Sequence, residues 1–135
     1  MAVLNDETMP LRSNEDVVRA RQVTRKFAIE LGFSLVEQTK IVTAASELAR
    51  NTFIHGGGGM LLIESLNHDS RRGLRLKFED QGPGIPNVDQ ALRDGFTTGS
   101  GLGLGLGGSK RLANEFEIHS EPGMGTRVVF TRWKG

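Results

Sequence analysis

Hydrophobic and polar residues change period several times along the chain, and each change marks an element. The opening MAVLNDETMPL alternates loosely, as a strand at a sheet edge does. From Ser13 or Asn14 the spacing turns helical. Val17, Ala20, Val23, Thr24, Phe27 and Leu31 fall on one face, and Gly32 ends the run. A second helix is predicted from Ser34, whose capping box is completed by Glu37, to about Ile54. Its expected apolar face is Leu35, Val36, Ile41, Val42, Ala45, Leu48, Ala49 and Thr52, and the glycines at 56–59 stop it. Segments 60–67 and 73–79, joined by HDSRR, read as a hairpin. A short helix over 88–93 and another over about 107–114 follow, then strands 116–120 and 127–133 turned by EPGMG. This order predicts an α+β fold: a two-layer sandwich of a mostly antiparallel mixed sheet with helices on one face. With no linker and no internal repeat in 135 residues, a single domain spanning 1–135 is expected.

Composition changes this picture mainly by exclusion. The net charge of +1 comes from 17 basic and 16 acidic residues that form no basic stripe. Seven Phe, one Trp and no Tyr offer no stacking platform, so no nucleic acid is expected as a partner. Without cysteine there is neither a disulfide nor a thiolate metal site. No apolar run reaches membrane length, and the first residues carry acids where a leader peptide carries bases. A cytoplasmic protein with no membrane association is the expectation.

Three constellations carry candidate chemistry. Glu47 and Asn51, in ELARN, stand four residues apart and share a helix face. A carboxylate one turn from an amide oxygen suits Mg²⁺, which takes oxygen ligands and keeps several waters. A solvated Glu47–Arg50 pair at a fraying helix end accounts for the same residues. Asp80, in DQGPGIP, follows a strand and is flanked by Gly82, Gly84 and Ile85. An ionised Asp only accepts hydrogen bonds, so it selects adenine, whose exocyclic amine donates, over guanine. An ordinary Asp-Gly turn explains that composition equally. The third stretch is GFTTGSGLGLGLGGSKR. It contains Gly103-x-Gly105-x-x-Gly108, but no strand precedes it, so the dinucleotide fingerprint is a chance match. No Gly-Lys-Ser/Thr completes a P-loop. What remains is a glycine-rich segment leading into a helix N-terminus, where unpaired N–H groups bind phosphate oxygens.

In this order the three constellations resemble the GHKL (Bergerat) ATP-binding fold of histidine kinases, Hsp90, gyrase-type ATPases and MutL-type repair proteins. Glu47 and Asn51 match its N box, Asp80-x-Gly82-x-Gly84 its G1 box, and Gly99 to Gly105 its G2 box and ATP lid. Gly125-Thr126 falls where that family places a threonine near the adenine. The stretches LGFSLVEQTKIVTAASELARN and GTRVVFTRW look most like the RsbT-type switch kinases of the stressosome. His55 and the glycines after it read closer to the IIHG of the anti-sigma factor kinases. The resemblance implies an ATP-dependent serine/threonine kinase acting on a STAS-domain antagonist, with Mg²⁺ and ATP as cofactors. Glu47 would be the general base and Asn51 the Mg²⁺ ligand. Asp80 would read the adenine amine, supported by Thr126, while Gly82, Gly84 and Ile85 would admit the base. Thr98, Gly101, Leu102, Gly103, Leu104 and Gly105 would form the lid over the phosphates, with 97–105 ordered by nucleotide. Arg50 would face the protein partner. The released kinase would engage an effector such as a PP2C-type phosphatase or another signalling enzyme. The alternative is an anti-sigma factor that sequesters a sigma factor and is released by a STAS protein.

Overall fold

The computed structural model describes residues 1–85, 87–93 and 105–134. The chain runs β1 (Ala2–Leu11), α1 (Asn14–Leu31), α2 (Leu35–Ile54), β2 (Gly59–His68), β3 (Arg71–Asp80), α3 (Val88–Ala91), α4 (Gly105–Arg111), β4 (Glu115–Ser120) and β5 (Thr126–Trp133). The strands form one sheet in the order β1-β2-β3-β5-β4. All four pairings are antiparallel, so the mixed sheet expected from the sequence is purely antiparallel among the described residues. Pro10 lies in β1, an edge strand, where its missing N–H costs no ladder bond.

Local chemistry sets the helix ends. Ser13 caps α1 by accepting the Asp16 N–H at 3.1 Å, and Asp16 accepts the Arg12 N–H in return. Gly32 closes α1 in the left-handed region at φ 86°, which glycine adopts without strain. Ser34 and Glu37 form the expected capping box of α2. The hairpin β2–β3 turns more tightly than HDSRR implied, on Asp69 and Ser70 alone, both at positive φ.

One face of the sheet supplies Met9, Leu61, Ile63, Leu76, Phe78 and Phe130 to a core closed by α1 and α2. Ile41, Ala45, Leu48, Ala49 and Thr52 are buried as predicted, but Leu35 and Val36 are exposed, at 72% and 65%. At 3.6 residues per turn, positions 35 and 36 point away from the Ile41–Ala45–Leu48–Thr52 stripe. Two apolar residues at the start of a helix therefore say little about its buried side.

The opposite face of the sheet is polar. Glu64 is nearly buried there, with Arg75 Nε at 2.8 Å and Lys77 Nζ at 3.5 Å. Burial alone would raise its carboxyl. The Arg75 hydrogen bond and charge, together with Lys77, outweigh burial and hold it below the ordinary value. A depressed carboxyl contributes stability that is present above its unfolded value and lost as pH falls through its folded value. Melting temperature should therefore drop as pH falls below about 4.5, the ordinary Glu64 value. Glu64→Gln should flatten that limb of a thermal-melt series. Superimposable acid limbs for the two proteins would place the effect elsewhere.

Candidate functional site

Glu47 and Asn51 sit one turn apart on α2, which packs against α4. Glu47 is only 5% exposed. Its Oε1 accepts the Gly105 N–H at 2.9 Å, across 58 residues of sequence. Gly105 opens α4 at φ 66°, so the bond satisfies one of the N–H groups that a first helical turn leaves unpaired. Among the described residues Glu47 has no second hydrogen-bond partner.

Asp80 ends β3, and its register partner on β5 is Thr126. Asp80 Oδ1 accepts the Gly82 N–H at 2.9 Å, an Asx turn that aims the chain away from the sheet. Glycines crowd the aspartate. A Cβ on Gly125 would stand 2.2 Å from the Asp80 carbonyl oxygen, and one on Gly82 would stand 2.6 Å from the Gly56 carbonyl oxygen. Gly84 turns the loop at φ 79° and lies against the Glu121 carbonyl.

Ser120, a residue the motifs do not reveal, ties this region together. Its Oγ accepts the Ile85 N–H at 2.7 Å, donates to the Gly125 carbonyl at 3.2 Å and shares a 2.8 Å hydrogen bond with Thr126 Oγ1. One hydroxyl thus joins the loop after Asp80 to the start of β5. No spacing rule in the sequence could have marked it, because its partners meet only through the β4–β5 turn.

These elements surround a cavity of about 410 Å³. Glu47, Asn51, Asp80, Gly84, Ile85 and Thr126 line it, over walls that include Leu48, Phe78 and Val128. Gly105 lines it as well, while Gly82, whose N–H donates to Asp80, does not. Arg50, expected to face a partner, borders the same cavity. A concave site with apolar walls and few convergent polar groups suits a flat heterocycle. The carboxylate and amide side by side on α2 suit a hard cation. Among the described residues no group of three or more His, Cys, Asp or Glu forms a metal cage. The donor set therefore fits a cation held partly by substrate phosphates and water. Thr98, Gly101, Leu102, Gly103 and Leu104, and the expected ordering of 97–105 up to Gly105, lie outside the described residues. Among those residues no helix is long and apolar enough to cross a membrane.

Residues 36–134 match the family model of histidine kinase-, DNA gyrase B- and HSP90-like ATPases. The chain belongs to this family. Two relatives align over most of its length. The serine/threonine-protein kinase RsbT of Bacillus subtilis (strain 168) is 44% identical over 131 residues, covering 96% of this chain and 98% of that one. An anti-sigma F factor of Thermoanaerobacter sp. (strain X514) is 31% identical over 122 residues, covering 86% and 84%. The fold agrees with solved members. A crystal structure of RsbU and RsbW domains from Mycobacterium tuberculosis superposes with a TM-score of 0.66 at 20% identity, over 97% of this chain and 33% of that one. A mycobacterial sensor histidine kinase, MprB, gives 0.57 at 17% identity, over 96% and 98%. The family is one of ATPases, so ATP is the nucleotide this fold serves.

Proposed function

We propose that this chain is an ATP-dependent serine/threonine protein kinase that phosphorylates a STAS-domain antagonist and then exchanges it for an effector of the PP2C-type phosphatase class. The observation that carries the reading is the convergence of a buried carboxylate, Glu47, with Asn51, Asp80 and Thr126 around one cavity. The 44% identity to a serine/threonine kinase over nearly the whole chain supports it.

The division of labour follows from donors and acceptors. Asp80 has one oxygen committed to Gly82, and its other oxygen accepts the adenine amine. Thr126, held by Ser120, supports the base beside it. Asn51 would contribute its amide oxygen to Mg²⁺. When bound, the metal would supply charge neutralisation at the phosphates. Glu47 takes the proton as the acceptor hydroxyl oxygen bonds to the γ-phosphorus and the bond to the β–γ bridging oxygen breaks, releasing ADP.

Incubation with Mg²⁺, labelled ATP and a STAS-domain protein should place phosphate on a serine or threonine of that protein. Free phosphate without labelled protein would overturn the kinase reading. The 31% identity to an anti-sigma factor favours a second reading, in which the chain sequesters a sigma factor until a STAS protein releases it. Pull-downs separate the two outputs. Capture of a phosphatase regulatory domain supports the first, and capture of a sigma factor supports the second.

A further inference from the structure

Gly56 follows the C-cap His55 of α2, where a glycine reads as a simple helix stop. Its neighbours Gly57 and Gly58 need glycine for their backbone, at φ 73° and 104°. Gly56 is not among the residues at positive φ, so conformation alone does not demand a glycine there. Space does. A Cβ at Gly56 would stand 2.3 Å from Asp80 Cγ, 2.5 Å from its Cβ and 2.5 Å from Oδ2. Real Cβ atoms essentially never come so close, so the carboxylate would have to move.

The Asp80 side chain is therefore fixed from two sides. Oδ1 is held by the Gly82 N–H at 2.9 Å, and Oδ2 rests over the bare Cα of Gly56. The Gly56 carbonyl in turn packs against Gly82, so the end of α2 and the loop after β3 interlock around the aspartate. We infer that Gly56 is a specificity-determining residue of the base site: by carrying no side chain it sets Asp80 Oδ2 where an adenine amine can donate to it. The inference rests on the proposed role of Asp80 and adds a residue that acts through it. A hydrogen bond to a charged acceptor is directional, and a carboxylate displaced by about an ångström no longer discriminates.

The test is calorimetric titration of ADP and of IDP, which has a carbonyl in place of the adenine amine. Wild-type protein should favour ADP by about ten- to a hundredfold, the range for one charge-assisted hydrogen bond. Gly56→Ala should bring the two affinities to within about threefold, mainly by weakening ADP. Gly57→Ala is the control: its φ is strained but a Cβ there has nothing within 4 Å. It should lower the melting temperature and keep the ADP preference. Gly56→Ala with an undiminished preference would overturn the role of Gly56 alone. Equal ADP and IDP affinity in wild type would overturn the reading of Asp80 and this inference with it. If Gly56→Ala does not fold, a second comparison decides. Asp80→Gly removes all the atoms a Cβ would strike, so Gly56→Ala/Asp80→Gly should bind ADP as Asp80→Gly alone does. A further loss in the double variant would assign Gly56 a role independent of Asp80.

Discussion

Glu47→Gln is expected to slow phosphoryl transfer to a STAS-domain acceptor by about 10²–10⁴-fold, the usual contribution of a positioned general base. ADP affinity should stay within a few-fold of wild type. The separation follows from how the two oxygens of Glu47 are used. Oε1 anchors the Gly105 N–H at the start of α4, and a glutamine amide oxygen can accept the same bond. The other oxygen would take the hydroxyl proton, and an amide nitrogen in its place has no lone pair to do so. Single-turnover transfer and ADP titration on the same preparation read the two effects apart. Glu47→Ala should also weaken nucleotide binding, because it removes the anchor as well as the base. A glutamine variant that transfers phosphate at the wild-type rate would exclude Glu47 as the base.

Asp80→Asn should reduce ADP affinity by about a hundredfold, corresponding to roughly 3 kcal/mol for losing a hydrogen bond to a charged group. The amide oxygen keeps the Gly82 N–H, so the melting temperature of the free protein should change little. The NH₂ group is then turned towards the adenine amine, and two donors oppose each other. IDP, with its acceptor carbonyl, should overtake ADP in the same titration. Undiminished ADP binding would show that the base lies elsewhere in the cavity.

Much of this was legible because it is local. Ser13, Gly32, Ser34 and Glu37 act within a few residues of themselves, so their spacing announced both long helices. Glu47, Asn51 and Asp80 were legible as a set, since their order along the chain carries the family pattern. Leu35 and Val36 mislead because they are apolar yet lie on the side of the helix that faces solvent. The contacts that complete the site join distant segments. Glu47 reaches Gly105, Ser120 reaches Ile85, and Gly56 reaches Asp80. No period or spacing encodes such meetings, and only the folded sheet brings them about. Gly56 illustrates the limit: beside Gly57 and Gly58 it looks like one more flexible residue, although its constraint is room rather than backbone freedom.

Helix α2 carries Glu47 within its length and leads at its C-terminal end to Gly56, nine residues further along. At 1.5 Å per residue the helix ends about 10 Å beyond Glu47, with Gly56 just past that end. On the proposed reading, base recognition is tied to one end and proton removal to the other. The helix then works as a measuring stick. A ligand that stops short, such as adenosine or AMP, can fill the recognition end without reaching the carboxylate. Such compounds would compete for the protein while leaving its reactive end untouched.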